Sequence, residues 1–334
     1  MDRNEYKDAF IPLPGMGDFL LRKLIKQKGK WKLKDYYFPR DMNIKAPNFG
    51  LLYNLLPDNF VPENLSPNDS RERENFEKAL NSNKFKWLNL ILRYQPSGEF
   101  VPENYIPNYY VAEKIKAQTI QPLIIGLGEV STYETGITLD FLTGLPIIPG
   151  SALKGITRRA AVLELACDNK DQLKKEFKEE FGFELQCSDN TQNADLLPYG
   201  KEFDFVAQKI EDDLKPDEFV KVFGTQDQKG NVIFMDAYPV DWSEMPDKKL
   251  FRIDVMNPHY GPYYESPDKN PPADWYNPVP VFYLTVNENV KYQFAIASKD
   301  KELLKAAKVW LEFALENIGV GAKGNQGYGV FKIQ

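Results

Sequence analysis

The sequence is poor in the residues that build metal and redox centres. It has one histidine, His259, and two cysteines, Cys167 and Cys187. One histidine excludes a histidine-rich metal centre. Two cysteines without a CxxC spacing exclude a thiolate zinc site of the usual ligand count and fit a reducing compartment. No run of about 18 apolar residues is present, so no membrane-spanning helix is expected. The opening stretch "MDRNEYKDAFIPLPGMG" lacks the basic-then-apolar pattern of a secretory signal, and a cytoplasmic location is expected.

An excess of basic charge is missing as well. The chain has 42 Lys and Arg against 48 Asp and Glu, a net charge of −6, a poor sign for a lone nucleic-acid binder. The charge is unevenly spread. Residues 171–219 hold 14 acidic and 6 basic residues, a net of −8, so the rest sums to +2. Residues 22–34, "RKLIKQKGKWKLK", hold seven basic residues and no acid. Basic patches therefore survive within an acidic chain, although a solvated face explains a charge run equally well.

What is present is an ordinary globular composition, 43% hydrophobic and 13% aromatic over 334 residues, enough for one large domain or two smaller ones. Residues 1–115 read as an irregular N-terminal extension rich in Pro, Asn and Tyr. Within them "FVPENLSPN" at 60–68 and "FVPENYIPN" at 100–108 share seven of nine positions. Two copies are too few for a solenoid and read as two extended or turn segments, since the residue before each Pro is pushed to extended geometry. A short helix is expected at 70–83 between them.

From residue 116 the pattern turns periodic. "KAQTIQPLIIGLG" reads as a strand, and residues 151–167 as a helix with Leu153, Ile156, Ala160 and Leu163 on one stripe. A helix at 171–181 and a loop at 187–195 follow. "NVIFMDAYPV", 231–240, reads as one strand, and 256–280 as irregular. "VFYLTV" and "KYQFAIAS" read as a hairpin turning at 287–289. Residues 301–317 form an amphipathic helix with Leu304, Ala307, Leu311, Leu315 and Ile318 on its buried stripe; Gly319 stops it, and "GYGVFKI" is a last strand. Strand, helix, strand, strand, helix, strand is the order of a ferredoxin-like α+β domain.

One stretch breaks local rules. In "TGLPIIPGSALKGITRRAA", 143–161, Pro149-Gly150 makes a turn and Ser151 is placed to cap a helix. A capping box wants Glu or Gln at 154, but Lys154 stands there, facing the positive end of the helix dipole. Gly155 weakens the helix interior by about 1 kcal/mol relative to Ala. Arg158 follows Lys154 by four residues, a like-charge pair. An anion at the helix start reverses all three penalties, because it takes free backbone N–H groups, the dipole and both cations. A phosphodiester chain fits best, with Gly155 admitting a close approach. The competing reading is a surface helix whose Gly155 packs against a strand. The stretch is no P-loop, since its lysine precedes glycine rather than Ser or Thr.

A second glycine loop, "GVGAKGNQGYG" at 319–329, surrounds Lys323, Asn325 and Gln326. It follows a helix and precedes a strand, the reverse of a dinucleotide fingerprint. A flexible connection is the bland alternative.

The chain resembles the RAMP superfamily of CRISPR-associated proteins, and within it the sixth-subunit family of type III-B Cmr effector complexes. Four stretches carry the resemblance: "GLGEVSTYETGITLDFLTGLPIIPGSALKG", "VIFMDAYP", "DVMNPHYGPYY…DWYNPVPVFYLTV" and "GIGVGAKGNQGYGVF". It implies an RNA-binding, non-catalytic backbone subunit of an antiviral ribonucleoprotein, with a ferredoxin-like (RRM-like) domain at 116–334 carrying a hairpin arm and a C-terminal glycine-rich loop. The implied partners are CRISPR guide RNA toward its 3′ end, the guide–target RNA duplex, the repeated backbone subunit, the small helical subunit and the first subunit, with no membrane and no cofactor or metal. The RNA-binding residues expected from motif and resemblance together are Gly150, Ser151, Lys154, Gly155, Arg158, Gly321, Lys323, Gly324, Asn325 and Gln326. The arm at 129–142 would be the hairpin that displaces guide bases, with Tyr133 and Phe141 able to stack.

Two rival readings stand beside this one. Glu129, Glu134 and Asp140 could hold a metal and cleave RNA, as an aspartate in the arm loop does in the related repeated subunit. His259 as an acid/base lacks the second partner that RNA self-cleavage needs. A protein–protein scaffold without RNA contact is the other rival, and Lys154→Ala leaves RNA affinity unchanged under it.

Overall fold

The computed structural model describes residues 8–10, 21–27, 30–37 and 110–334, except 130, 132–134, 186–197, 244–248, 274 and 277. The repeated "FVPEN" segments, the helix expected at 70–83, the loop at 187–195, and Tyr133, Glu134 and Cys187 lie outside the described residues.

A three-stranded antiparallel meander comes first: β1 (Asp8–Phe10), β2 (Leu21–Gln27) and β3 (Lys30–Tyr37). The basic run at 22–34 lies on β2 and β3, which pair with a bulge between Arg22 and Leu24.

The main body is mixed helix and antiparallel sheet. In chain order it has β4 (Val111–Thr119), α1 (Gly150–Asp168), α2 (Lys170–Phe181), α3 (Lys201–Gln208), α4 (Asp217–Phe223), β5 (Val232–Phe234), β6 (Tyr238–Asp241), β7 (Phe251–Met256), α5 (Gly261–Glu265), β8 (Val281–Val286), β9 (Lys291–Ser298), α6 (Lys301–Phe313) and β10 (Phe331–Ile333). A wider π turn, Lys209–Leu214, extends α3, and another, Ala314–Ile318, extends α6. The five-stranded sheet runs β10-β4-β9-β5, with β6 also on β9. Every pair in it is antiparallel.

The periodic stripes are buried as their spacing predicts. Leu153, Ile156, Ala160 and Leu163 of α1 and Leu304, Ala307, Leu311, Leu315 and Ile318 of α6 and its π turn join one core. These helices pack on each other; α6 also meets β4, β9 and β5, and α1 meets β5. Beneath them Tyr292 and Phe294 of β9 meet Phe331 of β10 edge-to-face, at 5.7 and 5.3 Å between ring centres. Such pairs add about 0.5–1.5 kcal/mol beyond the area they bury. The Asp300 side chain caps α6 by accepting from the N–H groups of Glu302 and Leu303.

Three expectations are corrected. The segments at 281–286 and 291–298 do not form a hairpin. β8 pairs with β7 in a separate two-stranded sheet, while β9 joins the main sheet. Both segments are rich in apolar and aromatic residues, so periodicity alone does not say which neighbour each takes. The strand at 231–240 breaks at 235–237. There Ala237 leaves β9 and exchanges two backbone hydrogen bonds with Ile148, at 3.0 and 2.9 Å. Finally, the first strand stops at Thr119, and Pro122 follows where a ladder N–H would be required. Among the described residues, no helix is long and apolar enough to cross a membrane.

Candidate nucleic-acid interface

The start of α1 is built differently from its expected cap. The cap position is Pro149, and the exposed Ser151 makes no capping bond, because the helix already begins at Gly150. The capping acceptor comes from far along the chain. Asp236, at the break between β5 and β6, accepts the Gly150 N–H at 2.7 Å. Its carboxylate supplies the negative charge that the dipole favours. Gly150 is buried, and a Cβ there would sit 2.1 Å from the Phe234 carbonyl oxygen, so this glycine serves the fit of helix on strand.

Two of the three broken rules now have structural answers. Lys154 is the fifth residue of α1, beyond the first turn. The like-charge pair is relieved by Glu211, on the π turn after α3, which forms an ion pair with Arg158. Gly155 stays unexplained by packing. It is exposed, and a Cβ added there would meet nothing within 4 Å. The reading in which Gly155 packs against a strand is thereby overturned. Lys154 is half-buried and has no ion-pair partner among the described residues.

The second loop is tightly determined. Gly319, Gly321, Gly327 and Gly329 all have positive φ. Gly321, at φ +94°, sits so close to the β4-side chain that a Cβ would lie 2.1 Å from the Ile124 carbonyl oxygen. Ala322 donates to that same oxygen at 2.8 Å, and Gly329 donates to the Pro122 carbonyl at 2.9 Å. Lys323 itself is in the left-handed region, φ +59°. That costs a non-glycine residue about 1–2 kcal/mol. Its ammonium donates to the Tyr283 hydroxyl at 3.1 Å and lies 5.0 Å from the centre of that ring. These are neutral partners, so its charge stays uncompensated.

A polar chain holds the loop from below. Tyr328 donates to Asp254 on β7 at 2.9 Å, and Arg252 donates to the same carboxylate oxygen at 3.2 Å. Burial pushes the Asp254 carboxyl up, but the Val255 N–H, the Tyr328 hydroxyl and the Arg252 guanidinium outweigh it and hold it below its ordinary value. Burial, with Asp254 nearby, pushes the Tyr283 hydroxyl well up. It therefore stays protonated and neutral under Lys323.

The two loops meet. Thr119 at the end of β4 pairs with Phe331, just after the glycine-rich loop. At the same end of the sheet, the Tyr292 hydroxyl of β9 donates to Pro146, just before α1. Tyr199 spans the gap. The Arg159 guanidinium lies 4.3 Å from the centre of the Tyr199 ring, and a Cβ on Gly324 would lie 3.6 Å from the Tyr199 hydroxyl. Arg159 of α1 and Gly324 of the glycine-rich loop are thus joined through Tyr199, with Asn325 and Gln326 exposed on that loop. The sequence reading missed Tyr199, Arg159 and Asp236. Arg159 was visible as the second member of the arginine pair, whereas Tyr199 and Asp236 carry no local signal.

Two of the three arm carboxylates, Glu129 and Asp140, are described, and both accept local hydrogen bonds. The Asp140 carboxylate accepts from the Thr143 N–H at 2.7 Å and from the Thr143 hydroxyl at 2.6 Å, which closes a turn. Glu129 accepts from the Thr138 hydroxyl at 2.7 Å. The turn lifts Phe141 and Leu142 into solvent, 77% and 81% exposed. His259 is exposed ahead of α5. Among the described residues no three His, Cys, Asp or Glu side chains converge as a metal site would require.

Known proteins fit this arrangement. The chain is 39% identical over 226 residues to the CRISPR system Cmr subunit Cmr6 of Pyrococcus furiosus, covering 64% of this chain and 66% of that protein. It is 30% identical over 141 residues to the corresponding subunit of Saccharolobus solfataricus, covering 42% of this chain and 45% of that one. The matches thus span just under two thirds and less than half of these relatives' lengths. A chain in the cryo-EM structure of the type III-B Cmr-beta complex bound to cognate target RNA superposes with a TM-score of 0.50 at 23% identity, over 80% of this chain and 76% of that chain. At that identity the likeness speaks for the fold alone. A sequence model of the RAMP superfamily matches residues 116–332, both glycine loops and every strand of the main sheet from the middle of β4 onward. The chain belongs to the RAMP superfamily.

Proposed function

We propose that this protein is a non-catalytic backbone subunit of a type III-B CRISPR effector complex, which grips guide RNA toward its 3′ end and contacts the guide–target duplex by its backbone. The repeated backbone subunit, the small helical subunit and the first subunit are its proposed neighbours. Residues 1–115 form an extension to a ferredoxin-like domain at 116–334. The sheet order supports that assignment: numbered by their place in the domain, with β5 and β6 counted as one broken strand, the strands run fourth, first, third, second.

The observation that carries the reading is the meeting of two glycine loops at one end of the sheet. Each contributes a lysine without an acidic partner, and Tyr199 bridges them. The 39% identity to a CRISPR system Cmr subunit supports RNA as the ligand class. Target choice then rests on base pairing with the guide, and the protein reads phosphate and shape. A net charge of −6 is compatible with this, since only the RNA-facing groove of a subunit has to be basic.

Lys154 and Lys323 are the proposed phosphate contacts. The test is guide-RNA retention by the reconstituted complex carrying Lys154→Ala with Lys323→Ala across a salt series. Two lost phosphate contacts should weaken retention and lower the salt slope by about 1.4 on single-stranded RNA. Unchanged retention and slope would refute the assignment and favour a protein–protein scaffold.

A further inference from the structure

We infer that Arg159, held over the ring of Tyr199, is a phosphate-binding fork of this groove, and that its neighbour Arg158 is a structural ion-pair partner only. The inference rests on the RNA-binding reading above and names a contact that the sequence motifs did not.

The two arginines are adjacent in sequence and different in circumstance. Arg158 pairs with Glu211 on the π turn, so its charge is compensated within the fold. Arg159 lies about 100° further round the helix. Its guanidinium stands 4.3 Å above the Tyr199 ring, and it has no carboxylate partner among the described residues. A ring contact through the guanidinium carbon uses none of the N–H donors along its edge. That edge matches two oxygens of one phosphate, a geometry that a lysine cannot reproduce. Because the ring already fixes the side chain, less rotamer freedom is lost when a ligand arrives.

The surroundings suit a chain rather than a free ion. Gly155 lies one helical turn before Arg159 on the same face and carries no side chain to obstruct approach. Gly324 lies beside the Tyr199 hydroxyl on the other flank. Arg159, Tyr199 and Gly324 thus form one line of contacts from α1 to the glycine-rich loop, with Gly155 a turn before Arg159 and Lys323 next to Gly324 in the chain. A phosphodiester strand laid along it meets Arg159 midway. The bridge also explains why a tyrosine stands at 199: it supports the cation and spaces the two loops.

The test compares Arg159→Ala, Arg158→Ala, Tyr199→Phe and Arg159→Lys in the reconstituted complex, with labelled guide RNA over a salt series. Lys154→Ala with Lys323→Ala serves as the reference, and each purified chain is melted in parallel. Arg159→Ala should weaken RNA binding about tenfold and lower the salt slope by about 0.7. Arg159→Lys should keep the slope and recover only part of the affinity. Tyr199→Phe keeps the ring under the guanidinium and should lose less affinity than Arg159→Ala does. Arg158→Ala should lower the melting temperature and leave the slope alone. If Arg159→Ala keeps parental binding while the lysine pair loses it, the fork is refuted and the groove reading stands. If Arg159→Ala loses affinity only together with its melting temperature, and with an unchanged slope, Arg159 is structural and the inference falls. If neither Arg159→Ala nor the lysine pair changes binding, the RNA-binding reading fails and the inference with it.

Discussion

Gly155→Ala should make the protein more stable and its proposed RNA grip weaker. Gly155 is the sixth residue of α1, well inside the helix, so the usual difference of about 0.8–1.0 kcal/mol between Gly and Ala applies in full. Nothing offsets it, because the added Cβ meets no atom within 4 Å. Part of the gain comes from an unfolded chain with less freedom to lose. In a domain of this size about 1 kcal/mol raises the melting temperature by about 2–4 °C. The same methyl group stands where a phosphodiester backbone is proposed to come closest. Pushing that backbone away should reduce guide-RNA affinity roughly three- to tenfold, or about 0.7–1.4 kcal/mol. The assays are differential scanning calorimetry of the purified chain and guide-RNA retention by the assembled complex. No rise in melting temperature would refute the reasoning about the helix. A rise with unchanged retention would refute the reasoning about the groove and leave Gly155 without a function.

Three further outcomes follow from the geometry. Gly321→Ala should cost about 1–2 kcal/mol in backbone strain plus the overlap with the Ile124 carbonyl, whereas Gly327→Ala, at φ +89° with nothing within 4 Å, should cost the strain alone; equal melting temperatures for the two would contradict this. Asp236→Ala removes the acceptor at the start of α1 and should destabilise by about 0.5–2 kcal/mol, with Asp236→Asn recovering most of it in the same denaturant titration. Asp241 is held at about 2 by the backbone and side chain of Ser243 and by Lys291. A folded-state value below the unfolded one of about 3.9 stabilises above that pH and is lost as pH falls toward 2. Asp241→Asn should therefore lower the neutral plateau of the melting-temperature curve, leave its acid end nearly unmoved and flatten the limb between them.

Helices were legible in this sequence because their stripes are long and periodic. Leu153 to Leu163 and Leu304 to Ile318 allow one reading, and the structure buries them accordingly. Strand partners were not legible. Val281–Val286 is buried throughout and shows no alternation, and whether it pairs backward with β7 or forward with β9 depends on contacts that no local pattern records. The same limit governs the site. Lys154, Gly155 and Lys323 stood out because each departs from a local rule, and the structure keeps Gly155 and Lys323 exceptional. Asp236 and Tyr199 obey every local rule in their own segments. They matter because folding carries Asp236 across 86 residues to Gly150 and lays Tyr199 under Arg159. Arg158 shows the converse, since a cation prominent in the motif turns out to be matched by Glu211.

The register that pairs Val111 with Ser298 has a consequence for how the protein is made. β4 is the first strand of the main sheet to leave the ribosome and sits at second place in it, yet its neighbours β9 and β10 emerge last. At about 5–20 residues per second, roughly 180 residues of separation leave β4 unpaired for about 10–35 s. Through that interval the nascent chain displays a strand with two open edges, while α1 waits for the helix α6 and the strand β5 it packs on. Such a product depends on holding chaperones or on early docking to a neighbour already assembled. A complex that recruits this subunit during its synthesis would shorten the most aggregation-prone period of its existence.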